Sequence, residues 1–373
     1  MTTFRNSTAI GVSAQRTLPA EQFTSPAHFA REQTRVFGRR WLCLAREEDV
    51  ALPGQFVVRQ VGAESLILVR DQQGTVRAHF NVCRHRGTAL CEEERGTFGK
   101  TIQCPYHAWT YALDGRLVGV PDLDQLPDFC KDDHPLHAAA CAVWEGWIWV
   151  NLAEDAEPFA EAFAPLQGKW AAWNLPALVR LGQIDYDVAA NWKLIVQNYS
   201  ECYHCALVHP ALVKLSPPTS GGNDLVEGPF LGGYMDVTEP GGSLTTSGRA
   251  CGLPVGPLAQ ADLQRVYYYV LFPNVLLSLH HDYVMCHRLF PLGPDRTRIE
   301  CEWLFHPETA ANAAFDPHDG IAFWDRTNRE DWHVSELTMR GVRSTRYQPG
   351  PYSAREAMAA AFDREYLRAL ADD

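Results

Sequence analysis

Two cysteine–histidine pairs constrain this chain more than anything else in it. Cys83-Arg84-His85 is followed, after 18 intervening residues, by Cys104-Pro105-Tyr106-His107, a C-x-H-x18-C-x-x-H pattern. Two thiolates and two imidazoles on two short turns can close around a metal centre, which requires the two turns to meet. Structural zinc is one reading, because Cys2His2 is a common zinc set. Zinc modules, however, usually pair cysteine with cysteine on one turn and histidine with histidine on the other. Here each turn carries one of each. That suits a [2Fe–2S] cluster with both cysteines on one iron and both histidines on the other. Imidazole ligation raises the potential of such a cluster, which can then accept and pass single electrons.

A second constellation lies further along. Asn191-Trp192-Lys193 opens a predicted helix, Trp192 to Val208, that contains Asn198-Tyr199-Ser200-Glu201-Cys202-Tyr203-His204-Cys205 and leads to His209-Pro210. Glu201 and His204 are three apart and so share a helix face. His204 and His209 are five apart, and an unbroken helix would splay them by about 140°. Pro210 disfavours the α conformation at His209, so the helix is expected to end or bend there and let His209 swing back. Two histidines and one carboxylate form the facial triad of non-haem Fe(II) oxygenases, which leaves sites open for O2. The competing reading is a pair of core histidines. Cys202 and Cys205 also make a C-x-x-C, but no thioredoxin-like βαβ context surrounds them, so they are expected to be packing thiols.

Composition excludes several classes. With 33 basic and 45 acidic residues the formal net charge is −12. A body this acidic has no footprint for nucleic acid, and an anionic membrane would repel it. No apolar run reaches membrane-spanning length. Met1 to Arg16 carries no secretory signal, and the 11 cysteines are odd in number, so a reducing cytoplasm without a disulfide framework is expected.

The hydrophobic pattern divides the chain. Ala27 to Arg40 reads as a helix. Short β-rich runs at Phe56–Arg59, Ser65–Arg70, Val76–Val82 and Trp147–Val150 mark an all-β module of about a hundred residues. Beyond Asn151 the pattern is α+β. Helices are expected at Phe159–Trp173, Trp192–Val208, Ala322–Arg343 and Ala354–Leu370. Strands are expected at Ile184–Val188, Val266–Phe272, Val275–Leu279, Tyr283–Phe290 and Ile299–His306. Ser216 to Gly256, rich in Gly, Pro, Ser and Thr, reads as a long functional loop.

Asn81-Val82-Cys83-Arg84-His85-Arg86-Gly87 and Cys104-Pro105-Tyr106-His107-Ala108-Trp109 match the Rieske oxygenase motif nearly residue for residue. With the second constellation in the same order, the whole chain resembles the α-subunits of Rieske non-haem iron ring-hydroxylating oxygenases. Asn198 to His204 is most similar to the choline and glycine-betaine monooxygenase branch, with Glu201 where aromatic dioxygenases carry aspartate.

The resemblance implies an α+β fold with an all-β Rieske [2Fe–2S] domain inserted into a helix-grip catalytic domain built on an antiparallel sheet. The implied division is an N-terminal segment at 1–44 packing on the catalytic domain, a Rieske domain at 45–153 and a catalytic domain at 154–373. The implied cluster ligands are Cys83, His85, Cys104 and His107. The implied Fe(II) ligands are His204, His209 and Asp331, the last from Asn328-Arg329-Glu330-Asp331-Trp332-His333-Val334-Ser335-Glu336, with Asp325 or Asn328 as alternatives. Asn198 takes a position near the iron. Family members are commonly homotrimers, in which the residue at Glu201 bridges one subunit's cluster to the next subunit's iron.

The chain has no dinucleotide fingerprint and no plant-type ferredoxin spacing. Electrons from NAD(P)H are therefore expected through a separate reductase, with or without a ferredoxin. The expected reaction is monooxygenation, with O2, of a small methylated or quaternary ammonium compound, ending in N-demethylation. Tyr267-Tyr268-Tyr269, Phe272, Tyr283, Trp303 and Phe305 are candidates for an aromatic cage, although core packing is the better reading of most of them. Aromatic ring dihydroxylation is the alternative. A Rieske electron-transfer protein is another, but it would need neither the second constellation nor some 220 residues beyond Asn151.

Overall fold

The computed structural model describes residues 3–12, 15–122 and 128–371. The chain forms two compact units, one of residues 37–164 and one of residues 1–36 with 165–373. The expected boundaries at 44/45 and 153/154 therefore move outward. The first strand, β1 (Leu42–Arg46), pairs with the last strand of the smaller unit, β10 (Trp147–Asn151), and is fully buried there.

The smaller unit is all β. β2 (Gln55–Val61), β3 (Glu64–Arg70), β4 (Val76–Phe80), β5 (Arg95–Thr97) and β9 (Ala138–Trp144) join β1 and β10 in a seven-stranded antiparallel sheet, ordered β1-β10-β9-β4-β3-β2-β5. β6 (Thr101–Gln103), β7 (Thr110–Ala112) and β8 (Leu117–Gly119) form a second, three-stranded sheet. The first cysteine–histidine turn follows β4, and the second joins β6 to β7.

The larger unit is built on one seven-stranded antiparallel sheet. It comprises β11 (Val179–Val188), β12 (Gly222–Leu225), β13 (Phe230–Asp236), β14 (Arg265–Leu271), β15 (Val275–Leu279), β16 (Val284–Gly293) and β17 (Arg296–Phe305), ordered β11-β17-β16-β15-β14-β13-β12. Its helices include α1 (Pro26–Glu32), α2 (Trp192–Tyr199), α3 (Cys205–Val208), α4 (His318–Val342) and α5 (Ala357–Ala371). The N-terminal segment is held in this unit by a buried polar knot. Glu32 of α1 accepts from Trp192 Nε1 at 2.9 Å and Tyr366 Oη at 2.8 Å, and pairs with Lys193 Nζ at 2.5 Å. All four groups are buried, and a buried charge of this kind is tolerated only when so paired.

Three local expectations are corrected. The helix expected over Trp192–Val208 stops at Tyr199 and restarts at Cys205. Phe159–Trp173 is not one helix but a set of single turns. The expected loop Ser216–Gly256 contains β12 and β13. β13 carries Gly232-Gly233, which sequence patterns read as irregular. The glycines are required by close backbone approach: a Cβ at Gly232 would lie 2.0 Å from Tyr268 O, and one at Gly233 2.0 Å from Gly222 O.

Candidate metal centres and the cavity beside them

The two cysteine–histidine turns have the same construction. Cys83 N donates to Thr88 O at 2.8 Å, and Cys104 N donates to Trp109 O at 2.8 Å. Gly87 N returns to Cys83 O at 3.0 Å, and Ala108 N to Cys104 O at 3.1 Å. Each turn closes through a left-handed residue, Gly87 at φ 75° and Ala108 at φ 56°. Glycine takes this conformation freely, whereas alanine does so at a cost of about 1 kcal/mol.

These turns put the sulfurs inside and the imidazoles outside. Cys83 and Cys104 are each 3% exposed and sit in a cluster with Trp109 and Tyr111. Tyr111 Oη lies 3.4 Å from Cys83 Sγ and accepts from Arg84 N at 3.0 Å. Burial pushes the Cys83 thiol up, although Tyr111 opposes this. The rings of His85 and His107 meet edge to face with centroids 4.8 Å apart, and His85 stacks on Trp109. His85 is exposed and His107 half-buried. The set fits a [2Fe–2S] cluster whose histidine-bearing iron faces outward.

The second constellation is assembled by a broken helix. Ser200 N and Ser200 Oγ both bond Val196 O, closing α2. The Glu201 carboxylate then takes the backbone N–H groups of Tyr203 and His204, as a capping side chain does. Glu201 and His204 therefore meet across a turn, not along a helix face. The contact itself is made, with His204 Nδ1 donating to Glu201 Oε1 at 2.6 Å. His209 ends α3 in a non-helical conformation, φ −118° and ψ 68°, and its ring turns back toward His204.

Three donor atoms converge. His204 Nε2 and His209 Nε2 lie 3.2 Å apart, and Asp331 Oδ1 of α4 lies 3.2 Å from the first and 2.9 Å from the second. Ligands at about 2.1 Å on adjacent octahedral positions sit roughly 3 Å from one another, so these atoms form one face around a single ion. Burial opposes charge on His204, but Asp331 and Glu201 push its ring up to about 10. Carboxylates placed that way would equally favour a divalent cation.

The alternative third ligands stand apart. Asp325 is held by Arg329 at 3.0 Å and Tyr186 Oη at 2.9 Å, while Asn328 donates toward Cys301 and Tyr186. Glu330 was missed by sequence reasoning. It accepts from His209 Nδ1 at 2.8 Å, so consecutive residues of α4 grip both nitrogens of one ring. Its only signal was its place in the Glu330-Asp331 pair. A further correction concerns Cys202 and Cys205. They are joined by a disulfide, their Cα atoms 4.9 Å apart across the turn that carries His204, and are not free packing thiols.

Beside these donors lies a cavity of about 370 Å³. Asn198 lines it together with Glu201, His204, His209 and Asp331. The expected aromatic cage is largely absent. Tyr267, Tyr269, Phe272, Tyr283, Trp303 and Phe305 are core residues. Strand alternation turns only Tyr268 of the three consecutive tyrosines toward the cavity. Its aromatic companions are Tyr199, Tyr203, Tyr234 and Trp324, from other segments of the chain.

Comparison with known proteins agrees with this construction. Residues 40–130 match the family described as the Rieske [2Fe-2S] domain, and residues 175–372 match the ring hydroxylating alpha subunit (catalytic domain). The glycine betaine monooxygenase oxygenase subunit of Chromohalobacter salexigens is 30% identical, over 90% of this chain and 81% of its own length. The crystal structure of the quaternary ammonium Rieske monooxygenase CntA with L-carnitine superposes at a TM-score of 0.79, with 22% identity over 97% of both chains. Naphthalene 1,2-dioxygenase from Rhodococcus sp. superposes at 0.75, with 24% identity over 95% of this chain and 94% of its own.

Proposed function

Because the chain belongs to the ring-hydroxylating α-subunit family of Rieske oxygenases, we propose that it monooxygenates a small methylated ammonium compound at an N-methyl carbon. The observation that carries this reading is the three-atom face of His204, His209 and Asp331 opening onto a small cavity walled by carboxylates and rings. At about 370 Å³ the cavity is near the lower end of ligand pockets, ~300–1,000 Å³. The likeness to a glycine betaine monooxygenase subunit over 90% of this chain supports the same substrate class and does not favour ring dihydroxylation.

A [2Fe–2S] cluster supplies single electrons and a mononuclear Fe(II) supplies O2 activation, as in the family. The protein's own contribution is placement. Cys83 and Cys104 would hold the inner cluster iron, and His85 and His107 the outer one. Glu201 and Glu330 each accept a hydrogen bond from an Nδ1–H, which fixes the tautomer and leaves Nε2 of His204 and His209 with lone pairs aimed at one point. Tyr268 and Trp324 present ring faces suited to a methylammonium group. Oxygen insertion into an N-methyl C–H bond gives a hemiaminal, which releases formaldehyde and the demethylated amine.

The enzyme is an oxygenase component, so its electrons come from a separate reductase. We further propose a head-to-tail homotrimer in the cytoplasm, with NAD(P)H as the ultimate donor and Glu201 between the cluster of one subunit and the iron of the next. The exposed position of His85 and the Glu201–His204 bond favour this route. No helix among the described residues is long and apolar enough to cross a membrane.

The test is single turnover. The protein is reduced anaerobically, mixed with a panel of betaines, choline and aromatic hydrocarbons, and exposed to O2. Formaldehyde in one-to-one ratio with a demethylated amine is the expected result. Diols from the aromatic set, with no formaldehyde from any amine, would overturn the reading.

A further inference from the structure

The cavity contains one feature that demethylation alone does not use. Among the described lining residues it has a single arginine or lysine, Arg355. The guanidinium is held in place. Its Nη2 donates to Cys202 O at 3.3 Å and to Pro218 O at 3.2 Å, and its Cζ lies 5.3 Å from the Tyr203 ring centroid. These contacts use one nitrogen and one face. Nε and Nη1 have no hydrogen-bond partner among the described residues, and no protein carboxylate pairs with the group. Unlike Arg329, Arg288 and Arg368, which are each paired with carboxylates, Arg355 faces the cavity with its charge unanswered.

We infer that Arg355 reads a carboxylate on the substrate, so that the cavity selects zwitterionic methylammonium acids over simple methylammonium cations. This rests on the demethylase reading and narrows it. Two effects act in the same direction. The free Nε and Nη1 donors can each give a carboxylate oxygen a charge-assisted hydrogen bond. The same fixed cation repels a substrate that carries only positive charge, which is discrimination by an unfavourable contact. Arg355 also grips the carbonyl of Cys202, two residues before His204, so the anion site and the donor face share one loop. A short betaine can satisfy both at once.

The experiment compares the iron-loaded wild type with Arg355→Gln and Arg355→Lys, using the reductase-coupled holoenzyme. Equilibrium binding and kcat/KM are measured for glycine betaine, carnitine and choline. The quantity read is the ratio of carboxylate substrate to choline. In the wild type it should be well above one. Arg355→Gln should lower it by about 10- to 100-fold, the scale of a lost charged hydrogen bond. Arg355→Lys should recover part of it. If Arg355 only ties down the Cys202 loop, both variants will lower all substrates together and leave the ratio unchanged, which overturns the inference. A wild type that prefers choline also overturns it while leaving demethylation standing. A wild type that demethylates none of the three would instead be a failure of the underlying function.

Discussion

At the scale of single residues, the site depends on who holds which nitrogen. His204→Ala and Asp331→Ala each remove one atom of the three-atom face, whose members lie 2.9–3.2 Å apart. Both variants should lose the labile mononuclear iron and turnover while keeping the visible spectrum of the cluster, because the two centres occupy separate units. Full activity in Asp331→Ala would place the third ligand elsewhere. Glu330 gives a finer test. It touches only Nδ1 of His209, so Glu330→Gln should keep the fold and weaken iron retention by about 10- to 100-fold, the usual effect of losing a partner behind a ligand. Iron titration against a chelator reads this directly, and unchanged retention would reduce Glu330 to a surface acid. His204, His209 and Glu201 could be named from sequence because helix ends and spacing are local, whereas Asp331 could be named only through the family resemblance. Glu330 could not, since nothing in one chain's text tells which neighbour of an aspartate reaches across to a histidine 121 residues away.

At the scale of elements, the two cysteine–histidine turns stand or fall as a pair. Each contributes one buried sulfur and one outward ring, so Cys83→Ser or His107→Ala should remove the red-brown colour of the whole cluster, read by absorbance and iron content. Ala108 is the weak point in this geometry. At φ 56° it takes the conformation that Gly87 provides without strain in the matching turn. Ala108→Gly should therefore raise or preserve thermal stability, the relief of left-handed strain offsetting the added freedom of the unfolded chain. A clear loss of melting temperature would mean that the methyl group packs usefully. In the larger sheet the opposite holds. Gly232→Ala drives a Cβ against the Tyr268 carbonyl, and a loss of roughly 1–3 kcal/mol in denaturant unfolding is expected. The paired glycines explain why β13 did not read as a strand. Its pairing is set by backbone contact with β12 and β14, not by side-chain pattern.

At the scale of the whole molecule, the two candidate metal centres lie in two separate units. The purified protein should carry about three irons per chain, two in the cluster and one mononuclear. One zinc per chain in a colourless protein would remove the cluster assignment. Glu201→Gln should leave both metal sites loaded and the oligomer intact. It should slow the reoxidation of the pre-reduced cluster by O2 in the presence of substrate. Both carboxylate oxygens of Glu201 already have partners within the chain, Oε1 with His204 Nδ1 and Oε2 with backbone N–H groups. A bridge to a neighbouring subunit would therefore use remaining lone pairs, and a rate equal to the wild type would assign Glu201 to capping alone. Light scattering checks the proposed trimer.

The sequence by itself determined the chemistry. Ligand types, their spacing and the turn residues around them are covalent facts, so the two cysteine–histidine turns and the His204–His209 pair could be proposed as metal-binding before any fold was known. The long, strongly periodic elements, β14 to β17 and α4, were equally legible because their hydrophobic patterns repeat. Only the tertiary structure decided where α2 stops, that β12 and β13 complete the sheet, that Cys202 and Cys205 are joined, that one tyrosine of three meets the cavity, and that Glu330 and Arg355 belong to it. Each of these depends on which distant segment lies opposite, and the sequence period of an element says nothing about its partner across space.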